Sequence, residues 1–218
     1  MKSEKDRNNI SGFIVDGKQN QTNQDYLIVN IKKYADDDWL EEAVDILSKG
    51  GIVIYPTDTL YGFGVDATND SALKKLSTLK GRKKPWSIIV SDLEMLNRFA
   101  SVTPEHQTLI ENELPGKVTV ILQTDSSELS ANLLGPNKSI GIRIPNHLCP
   151  TSLVQKLGFP ITTTSVNKGG EQPLNDPDQI ITKFKNSVDM IIDDGILPPS
   201  SGSKILDLMD KEVKILRN

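Results

Sequence analysis

Hydrophobic and polar positions follow two patterns along most of this chain. Apolar residues recur at helical spacing between residues 36 and 48, and Gly50-Gly51 closes that stretch. Short, wholly apolar runs such as residues 52–55 and 87–90 follow, and further helical stretches separate them. Apolar strands that alternate with helices predict an α/β fold in which helices cover at least one face of a sheet.

The same patterns predict the individual elements. Predicted helices begin near Asp36, Asp70, Thr103, His147 and Asp176. Predicted strands cover residues 52–55, 87–90, 118–122, 140–144, 160–164, 190–192, 204–208 and 213–216. Asp70 is predicted to cap the helix that runs to Lys80, and residues 56–64 are interpreted as a glycine-marked loop.

The first 35 residues differ in composition from the rest of the chain. They are rich in Asn, Gln, Lys and Asp, and they contain two short apolar runs, 13–15 and 26–29. We interpret residues 1–35 as a polar N-terminal extension that is mainly solvated, with one added edge strand as the alternative. Residues 36–218 show neither an internal repeat nor a linker, so we expect them to form one domain.

Charge and cysteine content narrow the class of protein. Lysine and arginine number 25 against 29 acidic residues, and the net charge of −4 argues against a uniformly basic nucleic-acid-binding protein but allows a local basic patch. The single cysteine, Cys149, excludes an internal disulfide. No apolar run approaches the roughly 18 residues that span a bilayer, and no signal peptide is indicated, so we expect a soluble, cytoplasmic protein without a membrane partner.

A basic cluster lies between residues 74 and 84, where six of eleven residues are lysine or arginine. Lys80, Arg82 and Lys84 are two residues apart, so in an extended segment their side chains would point the same way and converge on a polyanion. A solvated helix face is the simpler interpretation of Lys74 and Lys75. Residues 80–84 are the hypothetical phosphate site, because loops between helices and strands often hold ligands.

Polar groups at strand ends are candidates for binding a small ligand. Residues 57–59 (Thr-Asp-Thr) follow an apolar strand, and residues 162–165 provide four successive hydroxyl groups before a glycine turn. Arg143 lies inside an apolar strand, where a cation needs an anionic partner. That partner is either a carboxylate of the protein or a carboxylate of a ligand.

His147 and Cys149 could suggest a metal pair, but no third ligand lies nearby in the sequence, so we expect no metal site there. Cys149 is interpreted as a packed core thiol.

Six segments taken together resemble the YrdC-type threonylcarbamoyl-AMP synthase family. They are GGIVIYPTDTLYGFG (50–64), LKGRKKPWSIIV (79–90), PGKVTVIL (115–122), IGIRIP (140–145), PITTTSVNKGG (160–170) and the C-terminal segment from SGSKILDL (201–208) to VKILR (213–217). The resemblance runs from about residue 36 to the C-terminus. It implies an α/β fold with a single YrdC-like domain, in which a twisted mixed β-sheet with flanking helices surrounds a concave cationic cavity.

The resemblance also implies a nucleotidyltransferase reaction. L-threonine, bicarbonate and ATP, with Mg²⁺ bound to the ATP, would give threonylcarbamoyl-AMP and pyrophosphate. The adenylate would serve the modification of the adenosine beside the anticodon in tRNA. A downstream threonylcarbamoyl transferase would be a partner.

Site residues follow from the resemblance position by position. The catalytic set is Lys80, Arg82, Ser165 and Asn167, which would hold the triphosphate and its Mg²⁺. The ATP-binding set is Arg82, Lys84, Ser139, Ser165, Pro173 and Arg217. The threonine-binding set is Thr59, Arg143, Thr163 and Ser203, with Arg143 receiving the substrate carboxylate. No resident metal site is implied.

Two other functions stay open beside the synthase. Ile89 stands where some family members have a threonine-contacting histidine, and the loop after Lys80 is about two residues shorter than usual. A YciO-like paralogue with another substrate is therefore one alternative. The other is a double-stranded RNA-binding module, because the basic cluster at 74–84 could also bind tRNA or duplex RNA.

Overall fold

The computed structural model describes residues 13–15, 18–20, 26–31, 38–81 and 85–218. Within these residues twelve strands join into one sheet. The strands are β1 (Phe13–Val15), β2 (Lys18–Asn20), β3 (Leu27–Asn30), β4 (Val53–Tyr55), β5 (Gly62–Gly64), β6 (Ser87–Ile89), β7 (Val118–Gln123), β8 (Ser139–Arg143), β9 (Ile161–Ser165), β10 (Met190–Asp193), β11 (Lys204–Asp207) and β12 (Lys214–Arg217).

Six α-helices in the described ranges connect these strands. They are α1 (Asp38–Ser48), α2 (Asp70–Lys80), α3 (Leu93–Phe99), α4 (Pro104–Glu113), α5 (Leu148–Leu157) and α6 (Pro177–Phe184). A short 3₁₀ turn, Pro136–Lys138, precedes β8. No helix in the part of the chain described here is long and apolar enough to cross a bilayer.

The sheet is mixed, as expected from the sequence. Its strand order is β1-β2-β3-β10-β4-β5-β9-β6-β8-β7-β11-β12. Four neighbouring pairs are parallel, namely β3–β10, β10–β4, β6–β8 and β7–β11, and the other pairs are antiparallel. The eight strands predicted between residues 52 and 216 are confirmed, each within one residue at either end.

Both faces of the central sheet are buried, because its strands are apolar on both sides. In β4, Val53 and Tyr55 pack on one face together with α1 and α5, which we call the α1/α5 face. Ile54 packs on the opposite face, against residues of α2, α3, α4 and α6. This arrangement is the α/β architecture that the apolar strands predict.

The predicted N-terminal extension contributes to the sheet. β3 pairs in parallel with β10, and Leu27 and Val29 are buried on the α1/α5 face. The solvated interpretation is therefore wrong for residues 27–30, whose alternating apolar side chains find a partner in β10 far along the chain. The division into 1–35 and 36–218 otherwise stays a prediction.

Asn69 rather than Asp70 caps α2, which corrects the predicted cap. The Asn69 side chain accepts a hydrogen bond from the Ala72 N–H at 3.1 Å. Asp70 is already helical, and its carboxylate accepts hydrogen bonds from Ser130 and Asn132. Both residue types suit a cap, so the sequence alone favoured the wrong neighbour.

Two short elements differ from the predictions. Residues 62–64 form β5 rather than a loop, and they pair with β4 and β9. α3 was not predicted, although Asp92 marks its start by accepting a hydrogen bond from the Met95 N–H. Both elements are too short for a clear hydrophobic period.

Gly64→Ala should lower the free energy of unfolding by about 1–3 kcal/mol, as overpacking of a buried site does. A Cβ on Gly64 would lie 2.5 Å from Cε1 of Tyr55. That ring is fully buried, and its hydroxyl donates to the Thr162 carbonyl at 2.7 Å, so it cannot easily move. Denaturant unfolding measures the change.

Gly62→Ala is the matched control, on the same strand and the same face of the sheet. The Cβ of Gly62→Ala would lie 3.4 Å from its nearest neighbours, which is an ordinary contact. The free energy of unfolding should therefore fall clearly less than in Gly64→Ala. Equal losses in the two variants would contradict the steric argument.

Candidate active site

A cavity of about 310 Å³ opens on the α1/α5 face beyond the part that the helices cover. Ser87 and Thr163 line it, two residues along from Ile89 and Ile161, which are buried on the same face. Small-molecule sites have volumes of about 300–1,000 Å³, so the cavity is large enough for a small ligand. Its lining residues are Thr59, Leu60, Tyr61, Gly62, Ser87, Thr119, Arg143, Thr163, Thr164, Ser165, Pro173, Ser201, Gly202, Ser203, Ile205 and Arg217.

Arg143 is the buried cation of this cavity, and it is only 5% exposed. Nη2 donates to Oδ1 of Asp58 at 2.7 Å, and Nη1 donates to Oγ1 of Thr59 at 3.2 Å. Burial lowers the pKa of the Arg143 guanidinium, and the Asp58 carboxylate offsets part of that shift. A protein carboxylate is thus the anionic partner that the sequence required.

Each member of the Arg143–Asp58 ion pair has a further hydrogen-bond partner, and that of Arg143 is Thr59. The second carboxylate oxygen of Asp58 accepts the backbone N–H of Asn146 at 3.0 Å. Arg143 Nε is buried and has no hydrogen-bond partner among the described residues. The contacts to Asp58 and Thr59 use one N–H group on each terminal nitrogen, so each of these nitrogens keeps a second N–H group besides the buried Nε. Sequence reasoning did not assign Asp58 to Arg143, since 85 residues separate the two.

Thr57 shapes the turn between β4 and β5. Its hydroxyl accepts the N–H groups of Thr59 and Leu60 at 3.1 and 3.2 Å and donates to the Leu60 carbonyl at 2.7 Å. Threonine satisfies three polar contacts of the turn in this way. Thr59 then lines the cavity beside Arg143.

Strand alternation divides the four hydroxyl groups of residues 162–165. Thr162 is fully buried, and its hydroxyl accepts the Val65 N–H at 3.0 Å. Thr163 and Ser165 line the cavity, and Thr164 borders it. The predicted ledge of four donors is therefore wrong for Thr162, because alternate side chains of a strand point to opposite faces.

Lys80 ends α2 and links that helix to the cavity. Lys80 is only 2% exposed. Its Nζ donates to the Ser165 carbonyl at 2.6 Å and to Oδ1 of Asn167 at 2.8 Å. Oγ of Ser165 donates to the same Asn167 oxygen at 2.7 Å. The three side chains form one connected cluster, and Ser165 brings it to the cavity wall.

The geometry at Lys80 corrects the assumption of an extended segment. Lys80 is helical, and Gly81 caps the helix in the left-handed conformation with φ 65°. The alternation that would align Lys80 with Arg82 therefore does not hold at this point. Arg82 and Lys84 lie outside the described residues.

The opposite wall of the cavity is held by Arg217 of β12. Its Nε donates to the Ser203 carbonyl at 2.7 Å, and Nη2 donates to the Ser203 hydroxyl at 3.2 Å. Burial lowers the pKa of the Arg217 guanidinium. The described lining residues include two arginines and no carboxylate, which fits a site for an anionic ligand.

Residues 45–218 match the sequence profile of the Sua5/YciO/YrdC family, described as telomere recombination. The chain belongs to this family. A family member from Haemophilus influenzae, an uncharacterized protein, is 33% identical over 185 residues, which cover 82% of this chain and 87% of that protein.

Solved structures of the Sua5/YciO/YrdC family share the fold. Sua5 of P. abyssi, a double variant, has a TM-score of 0.82 and 25% identity over 88% of this chain. The same protein complexed with L-threonine has a TM-score of 0.78 and 26% identity over 84% of this chain. This chain spans 56% and 54% of those two Sua5 chains. YciO of E. coli has a TM-score of 0.78 and 27% identity, covering 88% of this chain and 93% of that one.

Most positions predicted from the Sua5/YciO/YrdC resemblance lie together. Seven of them line the cavity, namely Thr59, Arg143, Thr163, Ser165, Pro173, Ser203 and Arg217. Lys80 and Asn167 join it through Ser165. Ser139 does not line it, although it lies on the same face of β8 as Arg143. Their roles stay predictions.

Sequence reasoning missed two polar residues of the site, Ser87 and Thr119, and it named Asp58 only as a candidate ligand-binding group, not as the partner of Arg143. Asp58 fixes Arg143, while Ser87 and Thr119 line the cavity floor. Ser87 and Thr119 lie within otherwise apolar strands, and a hydroxyl in such a strand was the available signal.

His147 and Cys149 have structural contacts. Nδ1 of His147 accepts the Cys149 N–H at 3.2 Å at the start of α5, and Nε2 lies 3.3 Å from Oδ2 of Asp194. Cys149 is buried, as predicted, and burial raises the pKa of its thiol. No group of three or more His, Cys, Asp or Glu side chains among the described residues could hold a metal ion.

A second, larger cleft of about 920 Å³ lies between α2 and residues 185–189. Lys74, Lys75 and Lys185 line it, and the first two are exposed, as a solvated helix face predicts. None of the described residues predicted for the site lines this cleft.

Proposed function

We propose that this protein is an L-threonylcarbamoyladenylate synthase, which forms threonylcarbamoyl-AMP and pyrophosphate from L-threonine, bicarbonate and ATP. The observation that carries the proposal is that four predicted threonine-binding residues line one cavity, and that the Lys80–Ser165–Asn167 cluster reaches the same cavity through Ser165. That Sua5 of P. abyssi has been solved with L-threonine supports the choice of amino acid. The adenylate would serve tRNA modification through a transferase in the cytoplasm.

The reaction needs positioning and charge neutralisation more than covalent catalysis. The threonine amine attacks the carbon of bicarbonate, water leaves, and a carbamate forms. A carbamate oxygen then attacks the α-phosphorus of ATP, and pyrophosphate leaves. Holding both substrates in one cavity makes these steps effectively intramolecular.

Individual side chains have defined tasks in this proposal. Arg143 would bind the threonine carboxylate through the second N–H groups of its two terminal nitrogens, which Asp58 and Thr59 leave unused. Lys80, Arg82 and Arg217 would neutralise the triphosphate, as cations do in phosphoryl transfer. Mg²⁺ would arrive as part of the ATP substrate, with phosphate oxygens as its ligands. The hydroxyl and cationic donors of the cavity fit phosphate oxygens better than they fit a metal ion.

Pyrophosphate release from MgATP and bicarbonate, measured with and without L-threonine, tests the proposal. We expect release that depends on threonine and a product with the mass of threonylcarbamoyl-AMP. Arg82→Ala should lose most of this release, whereas Lys74→Ala, another cation of the basic cluster, should keep it. ATP binding without threonine-dependent release would reject the synthase.

A YciO-like paralogue with a different amino acid or acyl acceptor is the second candidate. The Arg143–Asp58 ion pair favours it, since a carboxylate of the protein already neutralises the guanidinium that would receive the threonine carboxylate. The chain also covers 93% of E. coli YciO. Pyrophosphate release with another acceptor and none with L-threonine would establish this candidate.

A further inference from the structure

Thr119 is a cavity residue to which the family resemblance gives no role. It lies in β7, is 3% exposed and lines the cavity near Ser203. Its Oγ1 lies 2.6 Å from Oγ of Ser203, a short hydrogen bond in which either hydroxyl can be the donor. Two buried hydroxyl groups are thus coupled at the cavity floor.

The contacts of Ser203 determine what this pair can offer to a ligand. Nη2 of Arg217 donates to Oγ of Ser203 at 3.2 Å, and a guanidinium can only donate, so the serine oxygen accepts there. If Ser203 donates to Thr119, the Thr119 proton is left over. If Thr119 donates to Ser203, the Ser203 proton is left over. In either arrangement the described residues leave one O–H of the pair available.

The neighbouring strand keeps space above the pair. Gly141 of β8 lies next to β7 across the sheet, where a Cβ would come within 2.6 Å of Oγ of Ser87 and 3.2 Å of Cγ2 of Thr119. A larger residue at 141 would push these side chains aside. The side chains of Ser87 and Thr119 can therefore occupy their positions only because residue 141 has no side chain.

We propose that Thr119 is a positioning residue for the amino-acid substrate. Together with Ser203 it forms a hydroxyl pair that donates one hydrogen bond to an oxygen atom of bound L-threonine. The pair can switch its internal donor, so it delivers this hydrogen bond without losing the contact between its two members. This proposal rests on the proposed function and adds a residue to its amino-acid subsite.

Thr119→Val tests the proposal, because valine keeps the shape of threonine and lacks the hydroxyl. Ser203 keeps its O–H in this variant but loses the Thr119 hydroxyl that orients it. We therefore expect the dissociation constant and the KM for L-threonine to rise about tenfold, the effect of losing one well-oriented hydrogen bond to a charged group. The KM for ATP should stay unchanged, and so should the midpoint of thermal unfolding within a few degrees. Thr119→Ser retains the hydroxyl and should restore threonine binding.

Thr124→Val is the matched control. Thr124 follows the same strand and is 1% exposed, but its hydroxyl accepts the Ser126 N–H and does not line the cavity. This variant should bind L-threonine as the wild type does.

Calorimetric titration with L-threonine separates the two hypotheses. Threonine binding by the wild type without pyrophosphate release would reject the synthase while leaving Thr119 testable through the dissociation constants. Unchanged binding by Thr119→Val would overturn the role of Thr119 alone. No threonine binding by the wild type would overturn both.

Discussion

Arg143→Met should lower the free energy of unfolding by about 3–5 kcal/mol and reduce threonine-dependent turnover about 100-fold. The stability loss follows from the partner left behind. The Asp58 side chain is only 6% exposed, and without Arg143 its charge would keep only the Asn146 N–H and the residual solvent. Breaking a buried pair from one side is costly for this reason. Denaturant unfolding and pyrophosphate release measure the two effects.

The double variant Asp58→Asn/Arg143→Met separates stability from function. It removes both charges, so much of the lost stability should return, since a neutral pair leaves no buried ion uncompensated. Threonine use should not return, because the guanidinium is still missing. Threonine dependence that is restored along with stability would show that Arg143 has only a structural role.

The expectation for Arg143 shows how far sequence reasoning reached. A cation inside the apolar strand 139–143 required an anionic partner, and the structure contains one. Its identity could not be predicted, since Asp58 and Arg143 meet only after β4 and β8 have joined the same sheet. Contacts between residues 85 positions apart leave no pattern in a single sequence.

The fold itself was more accessible than the site. Wholly apolar runs predicted the central strands, because a sheet buried on both faces needs apolar residues at every position. β5 and α3 were missed, since Gly62–Gly64 has no apolar alternation and Leu93–Phe99 spans only two turns. β3 was misjudged because its neighbours in sequence are polar, while its partner β10 lies more than 150 residues away.

Within the site, the position of a residue along its strand determines whether its hydroxyl group faces the cavity, and composition alone does not show this. Thr162 and Thr163 have the same side chain, and only their positions in β9 assign one to the core and one to the cavity. Thr119 was not recognised as a site residue, because the residues around it in β7 are apolar and the strand was interpreted only as part of the core. Hydroxyl residues inside buried strands therefore merit testing as site residues when the strand ends at a cavity.

Lys80→Met should reduce pyrophosphate release by about 10²–10³-fold, the usual effect of removing one well-placed cationic or hydrogen-bond donor from a reaction centre. Methionine keeps the length and the apolar stem of lysine but lacks its ammonium. The variant loses the contacts to the Ser165 carbonyl and to Oδ1 of Asn167, so the cluster beside the cavity loses its charge. The free energy of unfolding should fall by about 3–6 kcal/mol, because two charge-assisted hydrogen bonds of about 1.5–3 kcal/mol each are lost.

Lys75→Met is the matched control on the same helix. Nζ of Lys75 also donates to a backbone carbonyl, that of Gly50 at 3.0 Å, but Lys75 is exposed and lines the larger cleft instead. Loss of the Lys75 ammonium group should leave turnover unchanged and should change the free energy of unfolding only slightly. Both variants remove one ammonium group from α2. The difference in turnover between them therefore reports the effect of the position of Lys80, separate from the total charge of the basic cluster. Equal turnover in the two variants would contradict a role for Lys80 in the reaction and would leave it as a structural cap between α2 and β9.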